Sequence, residues 1–277
     1  MPTKIILAGE GGQGVQTVAK IITITAQRSG RNSSYLPGFG VEQRGGVSLA
    51  YLQISSKPIT YPRFTKADIV VAFCDRAIPT IKDFLSRDTL FIYDSSAISD
   101  KSLEKIKNLV SNYLAIPALA LAKEKLSSKV ANVVLLGGII THLKEINYQE
   151  FEKTLLEEFA TKIEKNPEIK DLNLGALKAG IEIAEKFNKE ETPFSGIEPP
   201  EIKTNFTKEG ISWTRFPEYC KGCGLCIVRC PTKALQFSKD SGFLGNPMPI
   251  VDMEKCLGCK TCELICPDAA IKVEKTP

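Results

Sequence analysis

The sequence predicts two domains of different class: an α/β domain with a mainly parallel sheet over residues 1–187, and a small α+β domain over 212–277, joined by a linker at 188–211. Three observations carry this division. Short apolar runs alternate with helical patterns through the first part of the chain. A polar, proline-rich stretch, NKEETPFSGIEPPEIKTNFTK (Asn188–Lys208), then interrupts the alternation. Beyond it, YCKGCGLCIVRCP (Tyr219–Pro231) returns 36 residues later as KCLGCKTCELICP (Lys255–Pro267), so the C-terminal part is an internal repeat.

In the first domain, Lys4–Leu7 reads as a short apolar strand that runs through AGEGGQG into a helical pattern. Gly9, Gly11 and Gly14 match G-x-G-x-x-G, with Gly12 between them. Glycines there permit a tight turn and close backbone approach, and the helix N-terminus offers amides and partial positive charge to a phosphate. A dinucleotide site would also place an acidic residue about 20 positions on, to hold a ribose. NSSYLPGFG occupies that region and contains none, which argues against NAD. Two readings stay open: a different phosphate-bearing ligand, or a tight structural turn facing a partner. Further on, Val47–Ile54 alternates with period two, and Asp68–Phe73 and Thr89–Asp94 are short apolar runs. Helical patterns intervene at Ala77–Ser86 and Ser102–Leu109 and dominate from Pro117 to about Phe187. VANVVLLGGII (Val130–Ile140) reads as a buried helix, and FEKTLLEEFATKI as an amphipathic one.

The second domain is organised by its cysteines. Each frame reads C-x2-C-x2-C-x3-C-P: Cys220, Cys223, Cys226 and Cys230, then Cys256, Cys259, Cys262 and Cys266. In a reducing compartment this density points to metal rather than disulfides. The spacing is that of two-cluster bacterial ferredoxins, in which three cysteines of one frame and the fourth of the other hold each [4Fe–4S] cube. One cluster would take Cys220, Cys223, Cys226 and Cys266; the other, Cys256, Cys259, Cys262 and Cys230. Zinc is the alternative, but it needs two separated pairs rather than a third and fourth cysteine plus proline in each frame. A short helix and a strand follow each loop, at Ala234 and Ala270, and SKDSGFLGNPMPIVD between the repeats reads as a hairpin. The ninth cysteine, Cys74, ends the apolar run IVVAFC and reads as a small buried hydrophobe.

Composition bounds the rest. The 277 residues are 43% hydrophobic and 25% charged. No run reaches the roughly 18 apolar residues of a membrane helix, and MPTKIILAGEGG lacks the layout of a secretory signal. The expectation is a cytoplasmic protein without membrane contact. The formal charge of +4 treats the cysteines as neutral; two clusters of about −2 each bring it near zero. Nothing indicates nucleic-acid binding. The single histidine, His142, lies in an apolar helical stretch and reads as structural. The chain contains no recognisable thiamine diphosphate motif and no other catalytic constellation, so it is expected to carry electrons supplied by another subunit. Trp213, the only tryptophan, reads as an anchor between linker and cysteine module rather than a ligand contact.

AGEGGQG, LPGFGVEQRGGVSLAYLQISSKPI and ADIVVAF together resemble the gamma subunit of 2-oxoacid:ferredoxin oxidoreductases, and CKGCGLCIVRCPTKAL through CPDAAI resembles their delta subunit. The resemblance covers most of residues 1–187 and nearly all of 212–277. It departs from many relatives in fusing the two subunits. It implies a Rossmann-like gamma domain followed by a bacterial-type 2[4Fe–4S] ferredoxin domain. It also implies alpha and beta partner subunits that hold thiamine diphosphate and Mg2+, oxidation of a 2-oxoacid to acyl-CoA and CO2, a soluble ferredoxin as acceptor, and a dimer of heteromers. Through it the glycine loop, Gly9, Gly11, Gly12 and Gly14, becomes a candidate for coenzyme A. Arg44, in the segment Glu42–Gly46, either pairs with an anion or holds its loop. The tail and the TYPRF segment lean toward the 2-oxoglutarate branch over pyruvate. Three alternatives stay open: a self-sufficient NAD- or flavin-linked electron carrier, a module whose clusters are structural, and a subunit acting on a 2-oxoacid without coenzyme A.

Overall fold

The computed structural model describes residues 2–39, 46–143, 146–187, 204–208, 210–217, 219–242 and 246–275. The chain divides into two compact units between Glu198 and Pro199.

The first unit is a six-stranded sheet with helices against it. Its strands are β1 (Thr3–Glu10), β2 (Asn32–Phe39), β3 (Val47–Ser55), β4 (Ile69–Ala72), β5 (Leu90–Asp94) and β6 (Asn112–Ile116), in the spatial order β2-β3-β1-β4-β5-β6. β1, β4, β5 and β6 are parallel, whereas β3 runs antiparallel to both β1 and β2. The mainly parallel sheet expected from the sequence is therefore present, with an antiparallel strand wedged into it. Parallel strands covered on both faces are apolar throughout, and IILA in β1 and IVVA in β4 are buried at every position. The alternating Val47–Ile54 is instead the antiparallel strand β3.

The helices of this unit are α1 (Val15–Arg28), α2 (Ile78–Ile81), α3 (Asp100–Leu103), α4 (Ala118–Lys125), α5 (Ala131–Ile140), α6 (Tyr148–Glu158), α7 (Ala160–Lys165) and α8 (Glu168–Phe187). Two helical patterns come out shorter than expected. Ala77–Ser86 yields only α2 between two 3-10 turns; the helical run stops where Leu85 turns extended (φ −78°, ψ 145°), and the Ser86 amide then donates to the Thr89 hydroxyl at 2.9 Å. Ser102–Leu109 likewise reduces to the single turn α3 and the turns after it. At the end of β5, buried Asp94 accepts the Leu119 amide at 3.0 Å and the Ser96 hydroxyl at 2.6 Å, so it joins the strand to the start of α4. VANVVLLGGII is buried as expected: α5 crosses α8 through glycines on both helices.

The second unit is built on the repeat. Its strands are β7 (Thr204–Lys208), β8 (Ile211–Arg215), β9 (Leu235–Ser241), β10 (Pro247–Val251) and β11 (Ile271–Lys275); its helices are α9 (Leu225–Val228) and α10 (Thr261–Ile265). β8 pairs antiparallel with β11, and β9 with β10 as the expected hairpin. A shift of 36 residues carries β8 onto β10 (211 to 247, 215 to 251) and the start of β9 onto that of β11 (235 to 271). The repeat thus extends upstream of the cysteine frames and forms a pseudo-twofold pair of two-stranded layers. Trp213, Leu235, Val251, Ile271 and Val273 form the core beneath them. β7 adds an antiparallel strand to β8 from within the stretch 188–211 that reads as linker. Its alternating TNFTK covers the Trp213 edge with Phe206, ring centroids 5.8 Å apart, which the polar composition of the stretch concealed.

A Cβ on Gly137 would stand 2.3 Å from the Leu177 carbonyl oxygen and 2.9 Å from Gly180 Cα. In an open helix Gly→Ala stabilises by up to about 1 kcal/mol. Here backbone, not a flexible side chain, fills the space, so Gly137→Ala is expected to destabilise by about 1–3 kcal/mol. Denaturant unfolding followed by far-UV circular dichroism checks the sign.

Candidate metal centre and glycine loop

The cysteine loops owe their shape to left-handed backbone at equivalent positions. Gly222 and Gly258 (φ 67° and 66°) are one pair, Gly224 and Lys260 (75° and 61°) a second, and Lys233 and Ala269 (53° and 50°) a third, each separated by 36 residues. The first two pairs fold the loop back before α9 and α10, which carry Cys226 and Cys262. The third pair reverses the chain after Cys230 and Cys266, so that the amide of Ala234 donates to Cys230 Sγ at 3.3 Å and that of Ala270 to Cys266 Sγ at 3.2 Å.

Cys220, Cys223, Cys226 and Cys266 line one small cavity together with Gly222, Gly224, Leu225, Pro249 and Ile271. This is the set expected from the spacing, with the fourth cysteine supplied by the other frame. Cys256, Cys262 and Cys230 pack against the same apolar core as Cys226, while Cys259 is exposed. Four thiols around one largely apolar cavity are the donor set a [4Fe–4S] cube takes, one cysteine to each iron, so the first set fits that group. Burial pushes the Cys226 thiol up to about 12, helped by the neighbouring cysteines; iron must displace that proton, so cluster assembly and the thiolate state are coupled. A buried ion pair, Lys221 Nζ to Asp268 at 2.8 Å, ties the first loop to the residue two past Cys266.

Trp213 anchors the linker stretch as read in the sequence, through Phe206 of β7, and does more. It lies in β8, fully buried, and its indole N–H donates to Cys262 Sγ at 3.4 Å. The 36-residue shift, applied upstream of the cysteines, is the signal that could have found it.

The glycine loop joins the C-terminal end of β1 to α1. Gly9 is the penultimate residue of the strand, and a Cβ there would meet Gln13 Oε1 at 2.7 Å and Phe73 Cβ and Val15 Cγ2 at 2.8 Å. Gly14 caps α1 with φ 79° against the Asn132 side chain. The Gly11 amide donates to the Gly46 carbonyl at 3.1 Å, and Gln13 exchanges hydrogen bonds with Glu10 through its amide and its side chain. Packing and internal hydrogen bonds thus account for Gly9, Gly14 and the Gly11 amide. Gly11 and Gly12 form the exposed tip. The end of β1 carries a buried carboxylate: Glu10, 5% exposed at its side chain, lies 3.5 Å from Arg76 Nε. β1 lies between antiparallel β3 and parallel β4, and β3 separates it from β2, so a parallel second strand ending beside the loop to hold a ribose is absent among the described residues. Arg44 lies outside the described residues. Cys74 is buried, and burial together with the Glu10 carboxylate pushes its thiol up to about 12, far from the reactive range. His142 follows α5 in a turn.

A family model described as pyruvate ferredoxin/flavodoxin oxidoreductase matches residues 4–183, and one described as 4Fe-4S dicluster domain matches 219–270. A ketoisovalerate oxidoreductase subunit VorA from Methanothermobacter thermautotrophicus is 29% identical over 182 residues, 65% of this chain and 36% of the relative. A 2-oxoglutarate synthase subunit KorC from Methanocaldococcus jannaschii is 29% identical over 188 residues, 67% of this chain and 96% of the relative. Among solved structures, the 2-oxoglutarate:ferredoxin oxidoreductase from Magnetococcus marinus, with 2-oxoglutarate, coenzyme A and succinyl-CoA bound, superposes with a TM-score of 0.61 at 28% identity, covering 74% of this chain and 34% of that one. The chain spans about a third of the first and last of these proteins. Among the described residues no helix is long and apolar enough to cross a membrane.

Replacing Cys226, which lines the first cavity, by Ser is expected to lower bound iron from about eight to about four per chain, one cube's worth. Iron analysis, with electron paramagnetic resonance of the dithionite-reduced full chain losing one of two signals, checks this.

Proposed function

Since the chain belongs to the pyruvate ferredoxin/flavodoxin oxidoreductase family, we propose that it is the fused gamma and delta subunit of a 2-oxoacid:ferredoxin oxidoreductase. Its partners are alpha and beta subunits that hold thiamine diphosphate and Mg2+ and carry out the decarboxylation. The acceptor is a soluble ferredoxin, and the assembly is a cytoplasmic dimer of heteromers. The single observation that carries this reading is the joining of a gamma-type domain to two four-cysteine sets in a chain with no catalytic constellation of its own.

A [4Fe–4S] cluster, when bound, accepts and returns one electron at a time at a potential set by its surroundings. The residues of this chain supply those surroundings. Eight thiolates fix two sites side by side, and the Ala234 and Ala270 amides donate to a sulfur in each. Ile227 and Ile271 sit in the apolar core against the cysteines and exclude water there. Val228 and Leu264, 36 residues apart and 80% and 85% exposed, give the outer faces of α9 and α10 an apolar surface suited to a partner.

The part of the glycine loop open to coenzyme A is its exposed tip at Gly11 and Gly12, because Gly9 and Gly14 are taken up by packing. The substrate is a 2-oxoacid whose pocket lies in the other subunits. Relatives named for ketoisovalerate and for 2-oxoglutarate match this chain with the same 29% identity, so its sequence does not track the substrate. A self-sufficient NAD-linked carrier is disfavoured by antiparallel β3 beside β1.

The complex purified anaerobically through this chain is expected to bleach its cluster absorbance with one 2-oxoacid among pyruvate, 2-oxoglutarate and a branched 2-oxoacid, and only with coenzyme A present. Bleaching without coenzyme A would identify a complex that releases a product other than acyl-CoA. Bleaching by NADH alone would sink the reading.

A further inference from the structure

We propose that the two four-cysteine sets differ in reduction potential, Cys256, Cys259, Cys262 and Cys230 forming the more easily reduced one, because Trp213, Thr261 and Thr232 direct side-chain donors at its sulfurs. The inference rests on reading the cysteines as ligands of two cubes.

The pseudo-twofold makes the comparison position by position. Trp213 Nε1 lies 3.4 Å from Cys262 Sγ. Thr261 Oγ1 lies 3.3 Å from Cys259 Sγ, and Thr232 Oγ1 lies 3.7 Å from Cys230 Sγ. An iron-bound thiolate carries no proton, so in both threonine contacts the hydroxyl is the donor. All three sulfurs belong to one set. Shifted by 36 residues, the three donors become Pro249, Leu225 and Asp268, beside the other set. Proline and leucine have no side-chain proton to give, and the Asp268 carboxylate is engaged by Lys221 at 2.8 Å.

Reduction adds negative charge to the sulfurs, so a donor aimed at them favours the reduced state. Solvent acts in the same direction. Cys259 is exposed and Cys256, Cys262 and Cys230 are half-buried, whereas in the other set Cys220 and Cys226 are buried and Cys223 and Cys266 half-buried. Two cations stand near the buried set, which opposes the trend, but each is neutralised: Lys221 by Asp268, and Arg215 by Asp240 at 2.9 Å. Electrons released singly by 2-oxoacid oxidation would therefore settle on the donor-rich set before passing to a one-electron acceptor of the ferredoxin class.

The test is a mediated redox titration of the full chain carrying both clusters, followed by electron paramagnetic resonance, with a chemical reductant and no substrate. Two reduced signals should appear in succession. Thr261→Val and Thr232→Val, which keep the side-chain shape, should each lower the reduced-to-oxidised ratio of the first signal about two- to fivefold at a fixed potential, and Trp213→Phe about fivefold, as expected for one net hydrogen bond. The later signal should stay in place. A common shift of both signals, a shift of the later one alone, or no shift would overturn the inference. Should Trp213→Phe fail to fold, 15N-labelled tryptophan decides in the unaltered chain, because Trp213 is its only tryptophan. The nitrogen coupling should appear in the first signal; its appearance in the later one only, or in neither, overturns the assignment. Loss of substrate-dependent bleaching with the order of potentials intact would instead count against the relay alone.

Discussion

In the proposed two-cube assignment, each cube takes three thiolates from one frame and the fourth from the other, and this crossing constrains the rest of the second unit. Two frames that must exchange their fourth cysteine have to face each other, which favours a twofold arrangement with equal spacing on both sides. The observed shift of 36 residues carries strands, short helices and all three left-handed bends of one half onto the other. The strands then follow as supports: β8 pairs with β11 and β10 with β9, so each two-stranded layer reaches across the repeat or closes it. A domain this small buries little apolar surface on its own, and its core of Trp213, Leu235, Val251, Ile271 and Val273 lies directly under the cysteines. Cluster ligation and folding are thus parts of one equilibrium.

The first unit solves a different packing problem. Its sheet is covered closely enough that glycine replaces larger residues where elements touch, at Gly137 and Gly180 between α5 and α8 and at Gly9 and Gly14 around α1. A glycine-rich turn after the first strand invites a phosphate reading, and the motif alone cannot separate ligand space from packing space. The geometry separates them in part. A Cβ on Gly9 meets Phe73 and Val15, which are core residues rather than lining of an open site. What faces outward is the two-residue tip, flanked by the Glu10–Arg76 pair.

Much of this was legible in the residues because the signals were covalent or strongly periodic. Cysteine spacing fixes which thiolates share a cavity, and the apolar runs of β1, β4 and β5 announce strands buried on both faces. Other elements could not be read. β7 hides in a polar stretch because a three-stranded edge needs few apolar residues when one Phe206 covers one Trp213. α2 and α3 are shorter than periodicity suggests: after α2 the chain turns extended at Leu85, and the Ser86 amide donates to the Thr89 hydroxyl rather than to a helical carbonyl. The antiparallel insertion of β3 depends on long-range pairing, about which local alternation says nothing.

Symmetry is also what makes the departures from it informative. When two halves share backbone, loops and ligands, a residue that differs between equivalent positions has been released from the common structural requirement. Trp213 opposite Pro249 is such a case: both positions lie in paired strands beside a cysteine set, and only one offers a proton donor. Thr261 opposite Leu225 and Thr232 opposite Asp268 differ in the same sense. Packing accounts for part of this, since Trp213 also faces Phe206 of β7, a third strand that the β9–β10 layer lacks among the described residues, but Thr261 and Thr232 lie outside that contact and favour charge on the same set. The asymmetry is chemical, and in a pair of one-electron centres a chemical asymmetry of this sign gives electron flow a direction.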